Sequence, residues 1–363
     1  MRLRYGVEMK VSFFNLDIEP TNRCNANCYF CPRDQTPHQG LMTTETFDQA
    51  LERAIEFREL ARSKFEAEMK VNLCGLGEPL LNRQTPDFVQ KIRAADFECS
   101  VSTNGALLSE ARGRALLDAG LQGVEINVGE EGDDYERLYG LPFAKTCENV
   151  IRFNEMAATA GGQCQVRVVL VDHRRDSNHI AKMKRFWRRR GIKHFMPLDI
   201  MNRAGALFVD DMQYTSFPEH AEAQARLRAK GADPVCAAPF ILLFIGYDGQ
   251  YYLCCSDWKK EVPLGSVFDT SFLAITHQKL EHVISRNPIC KTCNWDPVNR
   301  LTEELRARAA KEAGAGGSID DFVDGLIKGD ATARGIVDVL DTVDGALVTG
   351  VVRSRRSIPV TAV

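Results

Sequence analysis

Three cysteines stand within eight residues near the start of the sequence, in the stretch NRCNANCYFC (residues 22–31). Cys24, Cys28 and Cys31 supply three soft thiolate ligands, which suit zinc or an iron–sulfur cluster. Three ligands leave a tetrahedral zinc ion, or one iron of a cluster, without its last protein ligand. A structural zinc site therefore needs a distant fourth residue, whereas an open iron binds a cofactor or a substrate.

Four further cysteines form a second candidate metal set in the later part of the chain: Cys236, Cys254, Cys290 and Cys293. Four thiolates can bind a zinc ion, or they can ligate every iron of an iron–sulfur cluster that needs a protein ligand. A cluster ligated in this way has no free iron for a substrate. Twelve cysteines without a secretion signal favour metal or redox chemistry over a disulfide framework. Most of the remaining five are expected to be buried small side chains.

The elements that must position these cysteines alternate between strand and helix patterns. Strands are predicted at residues 11–19, 69–75, 98–105, 123–128, 165–171 and 193–199, with helices near 43–60, 85–95, 109–119, 143–159 and 177–190. Six such units predict an α/β fold in which a parallel sheet curls into a partial (β/α)6, TIM-like barrel. Ligands of such sheets bind at the carboxyl ends of the strands, so Cys24, the loop at 75–78, Asn104, Asn127 and His173 are expected at one mouth.

The pattern changes after a linker near residues 205–235. A β-hairpin is predicted over 240–255 with its turn at Asp248-Gly249, because this pair accepts positive φ angles, and a helix near 271–286 follows. We expect a barrel domain over 1–210, a small hairpin and helix domain over 211–300 that holds the second cysteine set, and a helical C-terminal extension of unknown role over 301–363.

The C-x3-C-x2-C spacing after the first strand, with the aromatic Phe30 before the third cysteine, resembles the radical S-adenosylmethionine (SAM) superfamily, and so does the flanking DIEPTNRCN. The resemblance implies that Cys24, Cys28 and Cys31 hold a 4Fe–4S cluster whose open iron is chelated by the amino and carboxylate groups of SAM. Reductive cleavage of SAM then yields a 5′-deoxyadenosyl radical that removes a hydrogen atom from the substrate. It also implies a flavodoxin or ferredoxin-type electron donor.

Other stretches match the family position by position. GLGEPLL (75–81) resembles the Gly-Gly-Glu-Pro loop that binds the SAM amino group; glycine allows close approach, and Glu78 can accept from an ammonium. VSTNG (101–105) ends the third strand, and Asn127 stands where the family usually has serine. The residues expected to contact SAM are Phe30, Gly75, Gly77, Glu78, Pro79, Ser102, Asn104 and Asn127.

Four residues are candidates for contacting the reacting groups: Arg167, His173, Asp199 and Arg203. Arg167 could offer a guanidinium to SAM or form a surface ion pair. The other three follow the fifth and sixth strands, and NRAG (202–205) resembles segments of auxiliary-cluster enzymes.

Cys74 could donate a hydrogen atom or only fill space. The basic segment 182–190 is expected to be a solvated outer helix, with docking of an acidic electron donor or an anionic substrate as the alternative.

The second cysteine set resembles the auxiliary-cluster domain of many radical SAM enzymes. The spacing of Gly249 to Cys254 selects Cys254 over its neighbour Cys255. The longer SPASM form of that domain has further cysteines for a second auxiliary cluster, but this chain has none beyond Cys293. The resemblance therefore implies the shorter twitch form, with a single 4Fe–4S cluster; a zinc ribbon remains the alternative.

Charge and hydropathy exclude several classes of partner. Forty-six basic and forty-nine acidic residues give a formal charge of −3, which argues against nucleic acid. The longest apolar run, FILLFIG (240–246), is far shorter than the ~18 residues of a membrane span, and no signal-type core follows the N-terminus. We expect a cytoplasmic protein that binds neither nucleic acid nor a membrane.

Together these features predict a radical SAM oxidoreductase. The favoured reaction is dehydrogenation of an alcohol carbon in a sugar-like or cyclitol small molecule, with the auxiliary cluster as electron acceptor. One alternative is crosslinking or epimerisation of a ribosomally made peptide, which is weakened because only 23 residues precede Cys24. A zinc-stabilised binding protein without turnover is the alternative from another class.

Overall fold

The computed structural model of the chain describes residues 13–65, 67–174, 176–207, 232–236, 238–296 and 350–353, together with residues 225, 229 and 299. Most of the predicted linker at 205–235 lies outside the described residues. The same holds for the predicted helical extension over 301–363, apart from residues 350–353.

Six parallel strands form the first part of the sheet in chain order. They are β1 (Phe13–Ile18), β2 (Glu68–Leu73), β3 (Glu98–Thr103), β4 (Gly123–Asn127), β5 (Gln165–Asp172) and β6 (His194–Asp199). The intervening helices are α1 (Thr44–Phe65), α2 (Thr85–Ala94), α3 (Glu110–Asp118), α4 (Gly132–Tyr139), α5 (Phe143–Thr159) and α6 (Ser177–Arg188). The predicted partial barrel is confirmed, whereas the short helix α4 was missed.

The core of this part lies between the sheet and its helices. Phe14, Leu16 and Ile18 of β1 are almost fully buried, and the ring of Phe14 meets Phe57 of α1 edge to face at 4.9 Å between centroids. Because strand side chains alternate, Asn15 and Asp17 point to the other face of the sheet, away from the helices. That second face is the concave face of an open barrel.

The predicted hairpin is confirmed, but it joins the barrel sheet. After β7 (Ala232–Val235) and α7 (Ala238–Ile241), β8 (Leu242–Ile245), β9 (Gln250–Tyr252) and β10 (Pro263–Ser266) extend the sheet beyond β1 to nine strands. Gly249 adopts φ +75° in the turn, as predicted. The first hairpin strand begins at Leu242 and not at residue 240, because Pro239 has a fixed φ that suits the first turn of α7.

The described chain divides into two compact units. Residues 13–200 together with 243–272 form one, and the described residues of 201–242 and from 273 onward form the other. The second unit contains α8 (Phe272–Ile284) from its second residue, α9 (Pro288–Thr292) and the pairing of β7 with β11 (Gly350–Arg353). The domain limits at residues 210 and 300 stay a prediction. Among the described residues, no helix combines the length and apolarity needed to cross a membrane.

Candidate active site

The cysteine triplet lies in the loop that follows β1. Backbone hydrogen bonds hold this loop against the end of α4, because Asn27 N donates to Tyr139 O (2.9 Å) and Tyr29 N donates to Leu138 O (3.1 Å). Within the loop, Ala26 N donates to the Cys24 sulfur at 3.4 Å. The loop conformation is therefore held by main-chain bonds, and the three thiols remain available as ligands.

The three thiols of the triplet are partly exposed and close enough to influence one another. Burial raises the pKa of Cys28, and the charges of Cys31 and Cys24 raise it further. Clustered thiolates repel each other unless positive iron lies between them, and a backbone N–H bonded to sulfur suits a cluster ligand. Among the described residues, no group of three or more His, Cys, Asp or Glu is arranged around one metal ion. The fit of a cluster therefore rests on donor chemistry.

The Gly-Leu-Gly-Glu-Pro loop packs directly on the segment that leads into Cys24. Glu78 N donates to Arg23 O at 2.8 Å. A Cβ atom added to Gly77 would overlap the carbonyl oxygens of Thr21 and Arg23, at separations that no real atoms adopt. Glycine is therefore required at position 77 for the two loops to approach each other.

The Glu78 side chain is used inside this loop, a role that the sequence did not predict. Its carboxylate is 1% exposed and accepts from Thr103 Oγ1 (2.7 Å), Leu80 N (3.1 Å) and Asn104 N (2.8 Å). Burial raises the pKa of Glu78, while these hydrogen bonds oppose the rise. The carboxylate thus ties the loop to the end of β3.

Glu19, the residue that follows β1, supports the same loop. This role was not predicted from the sequence. The fully buried carboxylate accepts from Leu76 N (2.9 Å) and Tyr247 N (3.4 Å), and it pairs with Lys260 Nζ at 3.1 Å. The Lys260 ammonium also lies 4.5 Å from the ring centroid of Tyr252. Glu19 therefore connects β1, the glycine loop and the segment after the hairpin.

Substituting Glu19→Gln should destabilise the fold by about 3–5 kcal/mol, because it leaves the Lys260 ammonium buried without its counter-ion. Urea unfolding of the two proteins would measure this difference. The exposed pair Lys70–Glu98 is a matched control, since Glu98→Gln should cost less than about 1 kcal/mol. Equal losses for both variants would contradict the support role of Glu19.

Three of the predicted SAM contacts belong to the triplet loop or are linked to it, either directly or through Tyr139. The Asn104 side chain donates to Asn25 Oδ1 at 2.9 Å and approaches the Cys24 sulfur at 3.8 Å. The buried Phe30 ring packs edge to face on Tyr139, with centroids 5.2 Å apart. The Tyr139 hydroxyl in turn donates to Asn127 Oδ1 at 3.2 Å. The ends of β3 and β4 and the triplet loop are therefore brought together at one mouth, as the topology predicts.

A row of hydrogen-bonded polar side chains crosses the concave face on β1 to β5. Asn72 Nδ2 lies 3.4 Å from Asp17 Oδ1 and 3.3 Å from Ser102 Oγ. Ser102 Oγ donates to Glu125 Oε2 (3.1 Å), and Arg167 Nη1 donates to Glu125 Oε1 (3.3 Å). We call these five residues the polar row. The ion pair considered for Arg167 is therefore present, but it forms on the concave face.

Three members of the polar row were not predicted from the sequence: Asp17, Asn72 and Glu125. A signal was present, because N-L-D-I-E places Asn15, Asp17 and Glu19 on one face of a strand that belongs to a buried parallel sheet. Polar groups at such positions are expected to bind one another or a ligand.

His173 lies beside the triplet loop and is held by a buried acid. Glu130 is 2% exposed, and its Oε1 lies 2.8 Å from His173 Nε2, 2.7 Å from Arg174 Nε and 2.9 Å from His179 Nε2. Burial alone would raise the pKa of Glu130, but hydrogen bonds from His173 and Arg174 outweigh it and lower the pKa. The His173 ring also contacts Tyr29 edge to face at 5.9 Å.

Asp199 and Arg203 fall in different compact units. Asp199 ends β6, and Arg203 starts a left-handed turn of three residues with φ values of +48°, +52° and +81°. The turn is held by Asn202, which is fully buried, exchanges two 3.1 Å hydrogen bonds with Asn294 and donates to Thr292 O at 2.6 Å. The NRAG segment therefore lies against the chain around Cys290 and Cys293.

Three members of the second cysteine set are neighbours in one compact unit. Burial raises the pKa of Cys236, and the charges of Asp296, Cys293 and Cys290 add to the rise. The Asn299 amide donates to Cys290 O (3.0 Å) and Cys293 O (2.8 Å), which holds the Cys-x2-Cys turn. Cys254 belongs to the other compact unit. The second set thus has the thiolate donors that an iron–sulfur cluster needs.

Two family descriptions match consecutive parts of the chain. "Radical SAM superfamily" matches residues 18–183, and "Iron-sulfur cluster-binding domain" (SPASM) matches residues 236–294. The first match spans the triplet, the glycine loop and strands β2 to β5. The second spans all four cysteines of the second set.

Curated relatives resemble only part of the chain. A "Probable GTP 3',8-cyclase" of Methanococcus maripaludis is 29% identical over 164 residues, which is 44% of this chain and 49% of that protein. A "Tungsten-containing aldehyde ferredoxin oxidoreductase cofactor-modifying protein" of Pyrococcus furiosus is 30% identical over 107 residues, 29% of this chain and 28% of that protein. The chain thus spans about half the length, or less, of these relatives.

Solved structures share the fold over most of the chain. BtrN in complex with AdoMet and 2-DOIA superposes with a TM-score of 0.52 at 17% identity, covering 79% of this chain and 94% of BtrN. Streptococcus suis SuiB bound to the precursor peptide SuiA gives a TM-score of 0.54 at 13% identity, covering 78% of this chain and 70% of SuiB. At these identities the likeness concerns the fold alone.

Proposed function

Because this chain is a radical SAM enzyme with a SPASM-type auxiliary iron–sulfur domain, we propose that it dehydrogenates an alcohol carbon of a sugar-like or cyclitol small molecule. The 4Fe–4S cluster and SAM belong to the first domain, and the auxiliary cluster belongs to the second. When both are bound, the first cluster and SAM supply the radical chemistry that removes a hydrogen atom from the substrate. A flavodoxin or ferredoxin-type protein is the proposed electron donor.

The polar row is the observation that carries the substrate proposal. It offers amide, hydroxyl, carboxylate and guanidinium groups side by side on the concave face. A polyhydroxylated molecule has donors and acceptors around its whole edge, so it can replace the water that otherwise solvates such a surface. An apolar substrate would cover the donors and acceptors that the bonds within the row leave unused, at a cost of about 1–3 kcal/mol for each.

The residues near the triplet have separable roles in this proposal. Cys24, Cys28 and Cys31 hold the first cluster. The main-chain carbonyls of Gly75 to Gly77 take the SAM amino group, because the Glu78 carboxylate already binds three donors, one in the loop and two at the end of β3. His173, oriented by Glu130, and the edge-to-face pair of Phe30 and Tyr139 border the same mouth. Cys236, Cys254, Cys290 and Cys293 hold the auxiliary cluster.

The auxiliary cysteines provide the decisive test of the oxidation. In the Cys290→Ala/Cys293→Ala variant we expect substrate-dependent 5′-deoxyadenosine to form, while the product two hydrogen atoms lighter than the substrate is lost. The measurement is mass spectrometry of anaerobic incubations with SAM, dithionite and a panel of 2-DOIA, myo-inositol and glucose. Unchanged formation of the lighter product in the variant would contradict the proposed electron acceptor.

Peptide modification is the second candidate, favoured by the structural likeness to SuiB, whose complex contains the precursor peptide SuiA. The same incubations with peptides, and with GTP because of the cyclase relatives, separate the candidates. Substrate-dependent 5′-deoxyadenosine with peptide or GTP, and none with the polyols, would replace the proposed substrate class.

A further inference from the structure

We propose that Asp17 is the general base that takes the hydroxyl proton of the substrate during this oxidation. The inference rests on the proposed function and names a catalytic residue for it. Asp17 is on β1, on the concave face, at one end of the polar row and seven residues before Cys24.

The contacts of Asp17 hold its carboxylate without neutralising it. Asn15 Nδ2 donates to Asp17 Oδ1 at 2.8 Å, and Asn72 Nδ2 reaches the same oxygen at 3.4 Å. Both amide donors therefore share one oxygen, and the Cys74 thiol is the third hydrogen-bonding neighbour. The ion pairs of the described residues include none with Asp17, whereas Glu125 is paired with Arg167. Of the two acids in the polar row, Asp17 is thus the one without an ion pair among the described residues.

The electrostatic surroundings favour proton uptake near neutral pH. Burial raises the pKa of Asp17 to about 6, the charge of Glu125 on β4 raises it, and hydrogen bonds from Cys74, Asn72 and Asn15 lower it. Burial and the charge of Asp17 in turn raise the pKa of the Cys74 thiol well above its usual value, so the thiol stays protonated. A carboxylate with a pKa near the working pH is mostly ionised and is still a useful acceptor.

The atoms and electrons of this step balance. The substrate carbon loses a hydrogen atom to the cleavage product of SAM, which is converted to 5′-deoxyadenosine. The hydroxyl O–H bond would then break as the C=O bond forms, and its proton would go to Asp17. The auxiliary cluster, held by Cys236, Cys254, Cys290 and Cys293, would accept the remaining electron. The one-electron oxidants are therefore SAM and an iron–sulfur cluster, and Asp17 later releases the proton to water.

The first test needs neither SAM nor substrate. Infrared difference spectra of wild type minus Asp17→Asn should show one carboxyl group that titrates near pH 6. If the difference spectrum shows no carboxyl group titrating between about pH 5 and 7, Asp17 does not have the basicity that the step requires and the inference is overturned, whatever the enzyme oxidises.

The second test uses the oxidised substrate, with 2-DOIA or myo-inositol as the probe. In Asp17→Asn, 5′-deoxyadenosine should still form, while the lighter product falls about 100-fold or more, the usual contribution of a general base. Asp17→Glu should restore part of the loss. The surface control Glu98→Gln should match wild type. The wild-type oxidation rate should fall as pH drops through about 6, since the base must be unprotonated.

The outcomes separate the two proposals. If wild type and Asp17→Asn form the lighter product equally well, the assignment of Asp17 fails while the proposed oxidation stands. If Glu125→Gln, and not Asp17→Asn, removes the product while retaining 5′-deoxyadenosine, the base is Glu125 and the inference is wrong. If wild type yields 5′-deoxyadenosine with no lighter product, the oxidation fails, and the role of Asp17 fails with it.

Discussion

Replacing Cys24, Cys28 and Cys31 together with alanine is expected to abolish formation of 5′-deoxyadenosine and to lower the iron content from about eight to about four per chain. The physical reason is that, in the proposed assignment, three thiolates of one loop hold one cluster, whereas the auxiliary cluster has its own four cysteines. Iron and sulfide counts on anaerobically reconstituted wild type and variant, with chromatography of SAM incubations, would measure both effects.

Cys164→Ala is the matched control for this triple variant. Cys164 is a buried cysteine just before β5, outside both cysteine sets, so its replacement should leave the iron count unchanged. If wild type and variant both contained zinc and little iron, the radical mechanism would be contradicted. About four irons in wild type, all lost in the triple variant, would keep SAM cleavage but remove the proposed electron acceptor.

The course of the barrel could be predicted from the sequence because it depends on local signals. Each strand is a short apolar run followed by a helical pattern, and parallel strands with helical crossovers leave few alternative topologies. The turn at Asp248-Gly249 was predictable for the same reason. Which sheet edge the hairpin would join was not, because strands β8 and β1 pair across more than 200 residues, and edge pairing depends on backbone groups common to all residues.

The candidate cysteine ligands could be named from their spacings in the sequence, but the residues that support their loops could not. Glu78 matches a family position, yet its carboxylate holds the loop to β3. Glu19 directly follows β1, and Glu130 lies in the loop between β4 and α4. Their partners Lys260 and His173 come from distant parts of the chain. Such pairs form through tertiary packing, and no local pattern encodes them. The alternation of polar residues on β1 was the one sequence signal for the polar row.

A single methyl group at position 77 is expected to weaken SAM binding at least tenfold. In Gly77→Ala, the Cβ atom would overlap the main-chain oxygens of Thr21 and Arg23, and backbone cannot move aside as a side chain can. The glycine loop must then separate from the segment before Cys24, and the Glu78 N to Arg23 O bond is lost. Isothermal titration with SAM under anaerobic conditions should show at least a tenfold weaker affinity, about 1.4 kcal/mol.

Gly162→Ala distinguishes this collision from a general effect of replacing glycine. Gly162 has φ +68° but nothing within 4 Å of an added Cβ, so alanine there strains the backbone without displacing a neighbour. Its SAM affinity should equal that of wild type. If Gly77→Ala also binds SAM normally, the glycine loop does not form the SAM site, and the role given to its carbonyl groups is wrong. Weaker SAM binding with an unchanged iron count would instead show that the loop binds the cosubstrate separately from the cysteines that hold the cluster.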